Sequence, residues 1–68
     1  MLGQELRAVR ERRGLSIRET ARRAGISSEA ISDIERGLRY PTLRSLEALA
    51  HVLDLCIEIG PDETIVKD

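Results

Sequence analysis

The sequence has few of the residues that small proteins use to reinforce a fold. Cys56 is the only cysteine in 68 residues, so no disulfide can form within the chain. His51 and Cys56 are too few zinc-binding side chains for a structural zinc site. Tyr40 is the only aromatic residue, which excludes an aromatic stacking surface for single-stranded nucleic acid. A chain of this size is therefore expected to rely on well-packed helices, a second subunit, or both.

Long apolar segments are also missing. No stretch approaches the roughly 20 apolar residues of a membrane-spanning helix, and the sequence shows no apolar signal segment. Together with the single cysteine, this predicts a cytoplasmic protein without a membrane partner. The sequence contains no combination of nucleophile, base and orienting residue and no glycine-rich phosphate loop. We therefore expect no enzymatic activity, no cofactor and no metal.

Charge is distributed unevenly along the chain, although the net charge is only −1. Residues 1–46 hold ten arginines and six acidic residues, whereas residues 47–68 hold one lysine and six acidic residues. One part of the protein is thus basic and the other acidic. This asymmetry is typical of a surface that faces phosphate groups, with an acidic region elsewhere that keeps the chain in solution.

Apolar spacing and capping residues predict four helices. The first covers residues 2–13 and is followed by Gly14, which suits a left-handed C-terminal cap. The second begins after Ser16 and ends at Gly25. Ser16 and Glu19 have the spacing of a capping box, in which each side chain bonds the backbone N–H of the other residue.

The third and fourth helices are predicted to have one apolar face each. The third begins at Ser27 or Ser28 and ends before Gly37, with a buried side formed by Ala30, Ile31 and Ile34. Its opposite side is polar and carries Ser28, Glu29, Ser32, Asp33 and Arg36. The fourth follows Pro41 and is capped by Thr42. Its apolar stripe comprises Leu43, Leu46, Leu49, Ala50 and Leu53.

After residue 54 the pattern changes from helix to strand. Apolar Leu55, Ile57 and Ile59 alternate with Cys56 and Glu58. A turn at residues 60–62 leads to a second, shorter β-prone run at residues 64–66. The sequence therefore predicts a mainly α fold. A four-helix bundle in residues 1–54 would be followed by a β-type tail, a strand or a hairpin, in residues 55–68.

Two short helices joined by a glycine-containing turn predict a helix-turn-helix. Several motifs in residues 2–54 closely resemble the XRE family of phage-repressor and Cro-type regulators: Gly14-Leu15-Ser16, residues 20–27, residues 31–37, Pro41-Thr42-Leu43 and Leu46. The resemblance implies a four-helix phage-repressor-like bundle. It also implies a sequence-specific transcriptional regulator, most simply a repressor, that binds double-stranded DNA.

The resemblance further implies which residues contact DNA. The third helix would enter the major groove, and its base-contacting residues would be Ser28, Glu29, Ser32 and Asp33. Contacts to phosphates would come from Arg18, Arg36, Arg39, Thr42 and Arg44. The alternative for the helix face is an ordinary solvated surface. Carboxylates can accept from cytosine N4 but reduce non-specific affinity, so we expect few base contacts and strong reliance on the flanking arginines.

Three features concern the packing beneath this face. Ile17 stands where the family usually has a phosphate-binding glutamine, so we expect Ile17 to join the core or its rim. Thr20 replaces a usual leucine and thins the core. Arg10 and Glu35 match a pair that forms an internal salt bridge in related phage repressors. Glu35 lies at the edge of the buried face of the third helix, so the pair is expected to hold the first and third helices together.

The predicted strand at residues 55–59 needs a pairing partner, because isolated strands are unstable in water. Pairing with the same strand of a second subunit would bury Leu55, Ile57 and Ile59 and form a symmetric homodimer. Cys56 is expected to be a small packing residue, and His51 an exposed one. A fourth helix followed by such a strand resembles HipB-type antitoxins, which dimerise through it. The alternative is a hairpin that packs on its own core.

Three functions are compatible with these patterns. The first is a dimeric repressor that binds an inverted-repeat DNA site. The second is an antitoxin that binds DNA and holds a toxin protein through its acidic end. The third is a protein-interaction module on the same fold, in which Glu29 and Asp33 face a protein.

Overall fold

The computed structural model describes residues 1–67, which form four helices followed by a two-stranded antiparallel sheet. The helices are α1 (Leu2–Arg12), α2 (Ile17–Ala24), α3 (Ser28–Glu35) and α4 (Leu43–Leu53). The strands are β1 (Cys56–Ile59) and β2 (Thr64–Lys67). The predicted mainly α fold with a C-terminal hairpin is confirmed. Over these residues, none of the helices has the length and apolar character needed to cross a membrane.

The starts of α2, α3 and α4 are set by side-chain caps. The side-chain oxygens of Ser16, Ser27 and Thr42 each accept a backbone N–H from three residues further on, at 3.0–3.1 Å. Such caps satisfy donors that the first helical turn leaves unbonded. The predicted capping box is half formed, because the Glu19 carboxylate binds two arginines of its own helix in place of the Ser16 N–H.

The core is formed by apolar side chains from all four helices: Leu6, Val9, Ala21, Ile31, Ile34, Leu49 and Leu53. Ile17 packs against the edge of this cluster, as predicted. The prediction that Leu43 belongs to the buried stripe of α4 is wrong, because Leu43 is 60% exposed. It lies in the first turn of α4, at the edge of the stripe that Leu46 and Leu49 form, where it faces solvent.

The C-terminal hairpin packs on the helices of its own chain. Ile57 on β1 lies opposite Val66 on β2, and both contact the helical core. The strand at residues 56–59 therefore has a partner within the chain, which was the alternative reading of the tail. Cys56 lies on the outer face of the hairpin and is exposed, so the expectation that it packs inside is wrong. His51 is exposed, as expected.

Gly3 determines how closely α1 approaches α3. It is buried, and a Cβ atom at this position would lie 2.2 Å from the backbone oxygen of Ile34. No side chain fits in that gap, so the start of α1 rests directly on the last turn of α3. The position of α3 therefore depends on a glycine at residue 3.

Thr20 leaves an unsatisfied polar group in the core. Its side chain is fully buried, and its hydroxyl has no hydrogen-bond partner among the described residues. A buried hydroxyl without a partner costs about 1–3 kcal/mol in protein mutational data. The structure thus retains a destabilising group between α2 and its neighbours.

We expect Thr20→Val to raise the free energy of unfolding by about 1 kcal/mol, because valine keeps the shape and removes the hydroxyl. Urea denaturation followed by circular dichroism measures this change. Thr20→Ser is the matched control. It keeps the hydroxyl and removes a buried methyl group, and is expected to be less stable than the wild type. A valine variant less stable than the wild type would contradict this account of Thr20.

Candidate nucleic-acid interface

Helix α3 presents one polar face to solvent. Ala30, Ile31 and Ile34 are buried on its inner side. The four predicted base-contacting residues lie together on the outer side, where Ser28 and Glu29 are exposed and Ser32 and Asp33 are half-buried. Within residues 1–67, no group of histidine, cysteine and acidic side chains is arranged to hold a metal ion. This surface can therefore offer hydroxyl and carboxylate groups to a ligand.

A buried ion pair holds α3 from beneath. Arg10 Nε lies 2.7 Å from Glu35 Oε2, and Arg10 Nη2 lies 3.0 Å from Glu35 Oε1. The Arg10 and Glu35 side chains are 9% and 7% exposed. Arg10 Nη1 also donates to the Leu15 carbonyl at 2.7 Å. Hydrogen bonding from Arg10 to the Glu35 carboxylate raises the pKa of Arg10 above its ordinary value. One side chain thus joins α1, α3 and the turn before α2.

Two arginines of α2 share one acidic side chain of the same helix. Arg22 and Arg23 both bind the Glu19 carboxylate, with 2.7 Å between Arg23 Nε and Glu19 Oε2. These hydrogen bonds, first from Arg22 and then from Arg23, lower the pKa of Glu19 to about 2. Glu19 therefore stays ionised at neutral pH, and its single negative charge balances one of the two arginine charges.

Three of the predicted phosphate-contacting arginines are exposed: Arg18, Arg36 and Arg44. The structure shows no ion pair for any of them within residues 1–67. Arg18 and Arg44 lie in the first turns of α2 and α4, where the positive ends of the helix dipoles add to the local charge. These three arginines carry positive charge that is available to an anionic ligand.

The other two predicted phosphate contacts, Arg39 and Thr42, are engaged within the chain. Arg39 Nη2 lies 3.6 Å from Asp33 Oδ2 on the α3 face. The Thr42 hydroxyl donates to Ser45 Oγ at 3.0 Å while it accepts from the Ser45 N–H. Thr42 therefore acts as a helix cap, and its hydroxyl could donate to a phosphate only after releasing Ser45.

Three sets of interactions near this face were not predicted from the sequence. The Glu19 interactions were predictable from the sequence, because arginines three and four residues after a glutamate lie beside it on a helix. The pairing of Arg39 with Asp33 was not predictable, because it depends on the path of the loop. The same holds for the Tyr40 hydroxyl, which lies 2.7 Å from Thr64 Oγ1 and ties the loop after α3 to the hairpin.

We expect Arg10→Met to lower the free energy of unfolding by about 3–5 kcal/mol, because it leaves the Glu35 carboxylate buried without its partner. Urea denaturation provides the measurement. Arg7→Met is the control, since it removes an arginine from the exposed Arg7–Glu11 pair of the same helix. Its expected loss is below about 1 kcal/mol. Equal losses in the two variants would show that the Arg10 pair does not hold the fold.

The sequence is similar to known regulators of transcription. A family model described as a helix-turn-helix domain matches residues 1–56. The uncharacterized HTH-type transcriptional regulator y4dL of Sinorhizobium fredii is 47% identical over 58 residues, which cover 85% of this chain and 30% of that protein. The immunity repressor protein of Bacillus phage phi105 is 35% identical over 68 residues, which cover 98% of this chain and 47% of that protein.

The fold is similar to that of a solved regulator. The crystal structure of SinR, the master regulator for biofilm formation, in complex with DNA superimposes with a TM-score of 0.76 and 38% sequence identity. The match covers 79% of this chain and 87% of the SinR chain in that structure. The chain spans less than half the length of the two curated relatives, 30% of one and 47% of the other.

Proposed function

We infer the function of this protein from its family, since the chain belongs to the XRE family of helix-turn-helix transcriptional regulators. We propose that it binds double-stranded DNA in a sequence-specific way and represses transcription by occupying its site. The observation that carries this proposal is the polar outer face of α3, which a buried ion pair holds in place, together with exposed Arg18, Arg36 and Arg44, which form no ion pair within residues 1–67.

In this proposal α3 lies in the major groove and reads base edges with its short polar side chains. The hydroxyls of Ser28 and Ser32 can pair with several bases, and the exposed Glu29 carboxylate can accept from cytosine N4. Arg18, Arg36 and Arg44 neutralise phosphates on either side of the groove. The small number of available arginines predicts weak non-specific binding. The protein then distinguishes between sequences through hydrogen bonds to base edges, all of which form only at a matching site.

We expect Arg18→Ala and Arg44→Ala each to weaken DNA binding by a similar factor on every duplex sequence tested. Each should also reduce the steepness of log K against log salt concentration by about 0.9, because one phosphate contact is lost. Fluorescence anisotropy at several salt concentrations gives both quantities.

Lys67→Ala is the control for this experiment. It removes one positive charge from the hairpin, where Lys67 already pairs with Glu58 at 2.9 Å. We expect its affinity and salt dependence to equal those of the wild type. If the two arginine variants also matched the wild type, neither arginine would contact phosphate.

We propose that the protein acts as a homodimer through the free edge of β1. Gly60 N donates to Glu63 O at 2.7 Å, which makes these residues a hydrogen-bonded pair beside the turn. Because bonding alternates along an antiparallel ladder, the backbone groups of Ile57 and Ile59 point away from β2. These groups are open to a second strand.

Some apolar side chains of the tail pack against the core, and one lies exposed on β1. Leu55 and Ile57 pack against the core of their own chain, whereas Ile59 is 59% exposed. Pairing of two β1 edges would cover Ile59 and form a four-stranded sheet across a two-fold axis. Two-fold symmetry is what an inverted repeat requires, with half-sites roughly 34 Å apart.

We expect Ile59→Pro to be monomeric in light scattering, because proline removes the N–H that faces the second strand without removing a hydrogen bond of the hairpin. Ile59→Val keeps both the N–H and an apolar side chain, and should remain dimeric. A dimer that survives the proline substitution would contradict assembly through β1. Comparison of the two variants distinguishes the effect of losing the residue 59 N–H from the effect of losing apolar surface.

A further inference from the structure

The turn after α3 brings Arg39 back onto the face of that helix. Gly37 adopts the left-handed conformation, with φ +78°. Its N–H bonds the Ile34 carbonyl at 3.1 Å, and the Leu38 N–H bonds the Asp33 carbonyl at 2.8 Å. This is the Schellman arrangement, which reverses the chain at the end of a helix. The backbone itself therefore places Arg39 beside Asp33.

The two side chains form an ion pair on the α3 face. Arg39 Nη2 lies 3.6 Å from Asp33 Oδ2, and the Asp33 side chain is 23% exposed whereas Arg39 is 53% exposed. The guanidinium contacts one carboxylate oxygen, and the exposed part of the Arg39 side chain keeps other N–H donors open to solvent. Glu29, on the same face, is exposed and has no such partner within residues 1–67. Of the two acids that face the proposed groove, Asp33 alone is neutralised by a neighbouring arginine in this part of the chain.

We propose that Asp33 is a positioning residue that acts on DNA through Arg39, so that the two side chains work as one unit. This inference rests on the proposed function. Asp33 directs the exposed N–H groups of Arg39 toward an acceptor oxygen or nitrogen on DNA. Arg39 in turn cancels the charge with which Asp33 would repel the phosphates. Asp33 is then not an independent acceptor for cytosine.

A double-mutant cycle tests this unit. The affinities of the wild type, Asp33→Asn, Arg39→Ala and the double variant are measured on a duplex that the wild type retains from a random pool, and on versions of it with single base pairs changed. We expect Arg39→Ala to weaken binding about tenfold when residue 33 is Asp, and at most about twofold when it is Asn. Asp33→Glu keeps a carboxylate and should preserve the large effect of Arg39→Ala.

The control cycle combines Asp33→Asn with Arg44→Ala, since Arg44 lies on α4 and has no ion pair with Asp33. Its two effects should be independent, so that the fold-changes multiply. Coupling confined to duplexes with guanine at one position would identify a base edge as the acceptor, and coupling on every duplex would identify a phosphate. Both results support the unit.

Two outcomes count against the inference, and they have different meanings. If Arg39→Ala weakens binding by the same factor with Asp or Asn at residue 33, the two residues act separately. The proposed function then survives and the inference does not. If the wild-type protein retains no duplex at all, both are overturned. Circular dichroism of each variant shows that the compared proteins are folded.

Discussion

The orientation of α3 depends on one buried ion pair. Arg10 binds both carboxylate oxygens of Glu35 and also the Leu15 carbonyl, so a single side chain connects three segments of the chain. Such a pair adds little net stability compared with apolar packing, but its two hydrogen bonds form when α1 and α3 lie in this relative position. Gly3 allows the start of α1 to rest on the last turn of α3. The polar face of α3 is therefore presented from a fixed position, which a reading surface requires.

The charges around that face show how, in the proposed function, a chain with a net charge of −1 would bind DNA. Glu19 balances one of the two charges of Arg22 and Arg23, and Asp33 balances Arg39. Further positive charge comes from exposed Arg18 and Arg44 at helix starts and from Arg36 at the end of α3. In the proposed function, this arrangement lowers attraction to arbitrary DNA. Binding then depends on how well the α3 face matches a particular DNA sequence.

The helices were predictable because their signals are local. Ser16, Ser27 and Thr42 cap helices where the sequence placed them, and the apolar spacing identified most of the core. The errors came from positions whose burial depends on neighbours distant in sequence, such as Leu43 and Cys56. The tail was predicted to be β-type, but whether it pairs within or between chains depends on tertiary packing. In the candidate site, helix spacing places residues on the α3 face, whereas the Arg39 pair depends on the loop.

Selection from random duplex DNA tests the central claim most directly, because it asks whether the protein reads sequence at all. The protein is incubated with the pool at moderate salt, and the retained duplexes are sequenced. We predict enrichment of an inverted repeat with half-sites roughly one helical turn apart. Folded protein that enriches no sequence would contradict the claim that α3 reads DNA.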